Sequence, residues 1–254
     1  PTVDQFGIGE LELESMRKFP RFSQTYFCIL GKNFEVTDSL GHTILYEEIF
    51  REQVYRFSTQ SEAPLIIDCG ANVGMSVLYF KWLYPKARII ALEPDPEIFT
   101  TLMKNIRTYN LTDITPLQYA AWDRKTRLFF EQDGGVGGRI TSRKNTVKKI
   151  EIQAIRLSEL INTNVDLLKI DIEGSEFAVL KDCEKKLGKV EHLFVEYHSH
   201  RMRPQSLDVI LKIFKNAGFR YYIKEASLQE QPFINKAIRK NYFDLQLNIF
   251  GYRS

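Results

Sequence analysis

The sequence predicts a doubly wound α/β fold: a mostly parallel sheet with helices on both faces, an antiparallel strand at the C-terminal edge and a small N-terminal extension. Three observations carry this expectation. Leu65–Ile67 is a short continuous apolar run, and Ala87–Leu92 and Val165–Ile170 are short, mainly apolar stretches, the pattern of strands buried on both faces. They alternate with segments of helical periodicity. The first run leads straight into a glycine turn, Gly70 to Gly74, that opens a helix.

Taken in order, residues 1–60 read as a separate layer, an extension or cap ahead of a main domain over residues 61–254. In that layer Tyr26–Leu30 and Phe34–Thr37 pair across a Gly31-Lys32-Asn33 turn. Leu45–Phe57 reads as a helix carrying Glu48, Arg51, Glu52 and Tyr55, which would cover a bound ligand if it folds over the glycine turn. From Pro64 onward strands and helices alternate: helix Val73–Tyr84, strand Ala87–Leu92, and helix Asp95–Tyr109 with Pro96 in its first turn. Strands follow at Ile114–Ala121, Arg127–Glu131 and Ile150–Arg156. After Val165–Ile170 come helix Ser175–Lys186, strand His192–Tyr197 and helix Pro204–Ala217, ended by Gly218. Phe219–Ile223 and Leu245–Phe250 close the sheet as an antiparallel hairpin. The Asp133–Gly138 glycine run and the basic excursion Arg139, Arg143, Lys144, Lys148, Lys149 form a long loop, read as a lid or as plain solvated chain.

Composition excludes several classes. Thirty-five Lys and Arg against 32 Asp and Glu leave a net charge of +3, too balanced for a nucleic-acid-coating protein. No run approaches the length of a membrane span, and the opening PTVDQFGIGELELES lacks a basic stretch followed by an apolar one. Cys28, Cys69 and Cys183 share no metal-type spacing and read as reduced thiols, so a cytoplasmic setting is expected.

The most informative stretch is Leu65-Ile-Ile-Asp68-Cys-Gly70-Ala-Asn72-Val-Gly74. Glycine permits a sharp turn and close approach of a ligand to backbone. Asn72 stands where a dinucleotide fingerprint needs its middle glycine, which speaks against a nicotinamide-dependent oxidoreductase, the competing enzyme reading. Glu93 ends the next strand twenty-three residues beyond Gly70, where a carboxylate accepts both hydroxyls of a ribose. Together the two features indicate an adenosine-type ligand.

Asp68-Cys-Gly-Ala-Asn-Val-Gly74, Glu93-Pro-Asp95, Lys169-Ile-Asp171-Ile-Glu173-Gly174-Ser-Glu176 and Val195-Glu-Tyr-His198 resemble the FkbM family within the class I methyltransferases. The resemblance implies a Rossmann-like sheet of about seven mostly parallel strands and S-adenosylmethionine as cofactor. It places Asp68, Gly70, Asn72 and Gly74 at the methionine end, Glu93 at the ribose, and Ala121, Trp122 and Asp123 near the adenine. It further implies methylation of a hydroxyl on a sugar or on a glycosylated or polyketide-type small molecule. The third-strand site, Ala120-Ala121-Trp122, departs from the wider superfamily in lacking an acid, so adenine recognition falls to Asp123 or to backbone groups.

Methyl transfer from a sulfonium needs alignment and a proton acceptor. Two strand ends supply candidates. Asp171 and Glu173 close one, and alternation puts Glu196 and His198 on one face of the other. His198 is the first choice of base because imidazole titrates near neutrality, with Asp171 and Glu196 beside it. Glu173, His200 and Tyr55 are expected at the acceptor. The same acids and His198 would also suit Mg²⁺ or Mn²⁺, although no spacing demands a metal. A third reading, a cofactor-binding module without catalysis, is disfavoured by the intact set of acids and imidazole.

Overall fold

A computed structural model describes residues 3–141, 148–201, 203–227, 231, 233–234 and 243–253. The chain opens with helix α1 (Glu10–Lys18), a hairpin of β1 (Thr25–Ile29) and β2 (Lys32–Val36), and helix α2 (Ser39–Tyr46). α2 runs into a π-helical turn, Glu47–Arg51, in which the Glu52 N–H donates to the Glu47 carbonyl. The helix expected over Leu45–Phe57 therefore starts earlier and stops sooner, since Gln53 takes φ 54° and breaks it. Its first turns escape a periodicity search because they contain Gly41. A β-carbon there would meet Val136 Cγ2 at 3.0 Å and Asp38 Oδ2 at 2.8 Å.

The main sheet follows: β3 (Leu65–Cys69), α3 (Met75–Leu83), β4 (Arg88–Leu92), α4 (Pro96–Thr108) and β5 (Ile114–Leu117). The chain then leaves it. β6 (Ala120–Trp122), β7 (Thr126–Glu131), β8 (Arg139–Ile140) and β9 (Lys149–Arg156) build a second sheet in the order β6-β9-β7-β8. It returns through β10 (Val165–Ile170), α5 (Glu176–Cys183), β11 (Val190–His200), α6 (Leu207–Asn216), β12 (Arg220–Glu225) and β13 (Phe243–Tyr252).

The seven-stranded sheet has the order β12-β13-β11-β10-β3-β4-β5, and β3, β4, β5, β10 and β11 are parallel. This is the α/β architecture expected from the sequence, with two differences in detail. β13 is antiparallel to both neighbours and lies one place in from the edge, which β12 occupies. The runs expected as further strands at 127–131 and 150–156 belong to the smaller sheet. Pro116 sits in β5, an edge strand, where its missing N–H leaves no ladder bond unmade.

Strand alternation divides the core in two. Ile66, Leu167 and Phe194 face one apolar cluster, with α3 and α4 residues such as Phe80 and Leu102. Ile67, Leu168 and Val195 face the other, with Val179 of α5 and Phe214 of α6. Phe6, Leu13, Phe27, Tyr46 and Phe50 of the N-terminal segment pack into the first cluster, so that segment shares its core with the sheet. Among the described residues no helix is long and apolar enough to cross a membrane.

Candidate active site

The carboxyl ends of β3, β4 and β10 open onto a cleft of about 380 Å³, within the size range of small-molecule sites. Its floor is the turn after β3. Gly70 and Ala71 N–H groups donate to the Leu92 carbonyl, which ties the turn to the end of β4. Gly70 and Gly74 have φ of 89° and 94°, and Asn72 takes 49°. The Asn72 side chain joins three segments. Its Oδ1 accepts from the Val73 N–H and from His42 Nε2, and its Nδ2 donates to the Gly135 carbonyl at 3.1 Å. His42, isolated in sequence and assigned no role from it, is thus fully buried against the glycine turn.

Glu93 lies at the rim of β4 and lines the cleft. Its two oxygens accept the N–H groups of Asn72 and Asp95 at 3.0 and 2.8 Å. Burial pushes its pKa up to about 8. Asp95 instead caps α4 and holds Gln132 of the second sheet through both carboxylate oxygens.

Other expected cofactor residues fall differently. Asp68 does not line the cleft: its carboxylate is fully buried and taken by Ser76 Oγ and by Lys169 Nζ at 3.0 Å. It acts on the turn through Lys169, which also donates to the Gly70 carbonyl at 3.0 Å. Gly70, Asn72 and Ala121 line the cleft, and Gly74 sits behind it with a β-carbon position 2.7 Å from Leu102 Cδ1. Trp122 and Asp123 do not line it, because β6 has already turned into the second sheet; Tyr119 and Ala120 take their place. Asp123 lies beside Arg124 at 3.6 Å.

The opposite end of the cleft is rich in carboxylates. Asp171, Glu173, Glu196 and Glu48 all line it, with Tyr55 and Lys169 beneath. Glu173 has φ 57°, a strained value that turns its side chain into the cleft, and burial raises its pKa. Burial, with Glu196 and Asp171, lifts Glu48 to about 7. Tyr55 is buried and edge-on to Phe194, ring centroids 4.9 Å apart. Sequence reasoning placed Glu48 on a covering helix without a chemical role. The signal that it faces the cleft is the π-helical turn, a tertiary feature common at functional sites.

His198 is not an exposed base. It is 4% exposed and lies behind the carboxylates. Nδ1 is 3.1 Å from Glu176 Oε1, and Nε2 is 3.3 Å from Glu196 Oε1 and 3.6 Å from Glu173 Oε2. Burial alone would favour the neutral ring, but these three acids override it and hold the pKa well above the ordinary imidazole range. His198 does not line the cleft, where Glu173 and Glu196 stand in front of it. His200 lies outside the cleft, edge-on to Phe243 with ring centroids 6.4 Å apart.

The loop Asp133–Gly138 folds over the cleft, which Asp133, Gly135, Val136 and Gly138 line. The Asp133 carboxylate accepts the Gly135 and Gly137 N–H groups. In the basic excursion, Arg139 pairs with Glu131 at 2.9 Å and Lys149 lies over the Phe129 ring, while Arg143 and Lys144 lie outside the described residues.

The sequence is similar to those of known methyltransferases. Methyltransferase sdnD of Sordaria araneosa is 27% identical over 213 residues, spanning 69% of this chain and 81% of that protein. The 2-O-methyltransferase NoeI of Sinorhizobium fredii is 27% identical over 160 residues, 55% of this chain and 65% of that one. The crystal structure of methyltransferase FkbM from Methylobacillus flagellatus KT shares the fold, with a TM-score of 0.52 and 20% identity over 80% of this chain and 46% of that chain. The profile of the methyltransferase FkbM domain matches residues 68–221, more than half of the sequence. The chain belongs to the FkbM methyltransferase family, and the protein is a methyltransferase.

Proposed function

We propose that the enzyme uses S-adenosylmethionine to methylate a hydroxyl oxygen of a sugar, or of a glycosylated or polyketide-type small molecule. The observation that carries this reading is the pairing of the glycine turn with Glu93 across one cleft. Backbone at Gly70–Asn72 would hold the methionine end, Glu93 would accept the ribose hydroxyls, and Ala121 with Tyr119 would flank the adenine. The buried Glu93 carboxyl fits that group, since hydroxyl donors would add to the Asn72 and Asp95 N–H groups that favour its charged form. The cofactor supplies a methyl group already activated on a sulfonium.

The chain's own residues then orient the acceptor and move its proton. Asp171, Glu173 and Glu196 would accept hydrogen bonds from several hydroxyls at once, which suits a polyol. Glu48 would take the proton of the reacting hydroxyl. As the acceptor oxygen bonds to the methyl carbon, the carbon–sulfur bond breaks and its electron pair stays on sulfur. Oxygen as the methylated atom is also supported by the 2-O-methyltransferase activity in NoeI's name. The N-terminal sixty residues serve as a cap in this reading, because Gly41, Leu45, Glu48 and Tyr55 form one wall of the cleft.

Calorimetry with S-adenosylhomocysteine and NAD, followed by transfer of labelled methyl to a panel of hydroxylated sugars, tests the proposal. Binding of the first nucleoside alone, with label recovered in an ether-linked product, is expected. Binding of NAD in its place, or label on nitrogen only, would overturn it.

A further inference from the structure

We propose that Asp171, Glu196 and His198 bind one divalent cation of the Mn²⁺ or Mg²⁺ type at the acceptor end of the cleft. One ligand atom from each, two carboxylate oxygens and an imidazole nitrogen, lies within 4.8 Å of the others. The ring is already set for such a role. Glu176 is 1% exposed, and its Oε1 accepts the Gly174 N–H at 2.9 Å. The same oxygen lies 3.1 Å from His198 Nδ1, so Nδ1 carries the hydrogen and donates it. A carboxylate behind a histidine in this way fixes the tautomer and raises the basicity of the other nitrogen, the usual support for a metal-binding imidazole.

That other nitrogen, Nε2, faces the acids. It lies 3.3 Å from Glu196 Oε1 and 3.6 Å from Glu173 Oε2. Neighbouring ligand atoms around an ion bound at about 2.1 Å stand roughly 3 Å apart, so small side-chain shifts would close the shell. Charge argues the same way. Lys169 is bound by Asp68 and the Gly70 carbonyl and lies 3.6 Å from Asp171, while Glu173, Glu176 and Glu196 face one imidazole. Carboxylate oxygens with a single imidazole suit Mn²⁺ or Mg²⁺ better than softer metals. The role of the ion rests on the proposed O-methylation: it would lower the pKa of the acceptor hydroxyl and hold that oxygen towards the methyl group.

The test uses the full chain stripped with a chelator and titrated with MnCl₂, followed by the loss of the free Mn²⁺ electron paramagnetic resonance signal. One Mn²⁺ per chain, displaced by MgCl₂, is expected. Asp171→Asn and Glu196→Gln should each weaken binding at least tenfold, and Glu176→Gln about 10–100-fold. Circular dichroism and S-adenosylhomocysteine calorimetry on the same variants report whether the fold and the nucleoside site survive. Wild-type protein that leaves millimolar Mn²⁺ free, or binds it equally well in the Asp171 and Glu196 variants, overturns the site. If the nucleoside binds and the metal does not, only the metal reading falls. If the metal binds and the nucleoside does not, only the cofactor reading falls.

Discussion

Gly70 is pressed against the backbone of Asp171: a β-carbon built on it would lie 1.9 Å from the Asp171 carbonyl oxygen. The ends of β3 and β10 close on each other here, and the Asp171 N–H donates to the Cys69 carbonyl at 3.1 Å. One contact therefore sets both the glycine turn and the acidic end of the cleft. Gly70→Ala should destabilise the fold by about 2–5 kcal/mol, combining left-handed backbone strain with overpacking. Urea unfolding measures this, and S-adenosylhomocysteine affinity should fall with it. An unchanged unfolding midpoint would show that the turn has slack the structure does not indicate.

Lys169 and Asp68 are register partners on β10 and β3, 2% and 0% exposed as side chains. Removing one member leaves the other charged, buried and without its counter-ion. Lys169→Met should cost about 3–5 kcal/mol in chemical denaturation, whereas the double replacement Lys169→Met with Asp68→Asn should recover part of that loss. A single variant as stable as wild type would show that Asp68 finds other partners.

The central sheet was legible because a strand buried on both faces is mainly apolar, as Leu65–Ile67 is throughout and Val165–Ile170 is apart from Asp166 and Lys169. Less was legible where contacts between distant segments decide. α1 buries only Leu13 and Met16, too few apolar positions to stand out. Asp68 sits in a motif that suggests a ligand contact, but its orientation is set by Lys169, a hundred and one residues away. Trp122 and Asp123 follow the third core strand in sequence, yet Tyr119 already marks the departure into a second sheet. Asp171, Glu173, Glu196 and His198 were identifiable as a group. The position of His198 behind the cleft wall was not, because it depends on Glu173, Glu176 and Glu196 converging on one buried ring.

Glu93 links cofactor binding to pH. Burial, with the nearby Asp95 charge, raises its pKa to about 8 against the N–H groups of Asp95 and Asn72 and the Lys169 charge, which favour the carboxylate. At pH 7 the carboxyl is therefore mostly protonated. Ribose hydroxyls donating to it would stabilise the charged form and lower its pKa, so binding should release a fraction of a proton at pH 7. Above pH 8 the group is already ionised and the release should fade. Calorimetry in buffers of different ionisation enthalpy measures the proton count. Proton uptake at pH 7 would remove Glu93 from the ribose site.

Asn72 ties the lid to the glycine turn through the Gly135 carbonyl, while His42 supports it from behind. Asn72→Ala removes both links and also strips a residue suited to left-handed backbone, φ 49°. Hydrogen exchange at residues 133–138 should accelerate, and dissociation of S-adenosylhomocysteine should quicken, with the sheet amides unaffected. Equal exchange in variant and wild type would mean that Asp133, through its own bonds to Gly135 and Gly137, holds the loop alone.

Glu48 faces Asp171 and Glu196 from the N-terminal wall, whereas those two acids come from the ends of β10 and β11 in the parallel sheet. A proton acceptor there is separate from the groups that orient hydroxyls, so removing it should spare binding. Glu48→Gln keeps the side-chain volume and should lower turnover about 10²–10⁴-fold, leaving S-adenosylhomocysteine affinity and acceptor KM near wild type. Single-turnover transfer of labelled methyl separates this chemical step from product release. If KM rises with kcat unchanged, Glu48 binds the acceptor without taking its proton, and the base is to be sought among Asp171, Glu173 and Glu196.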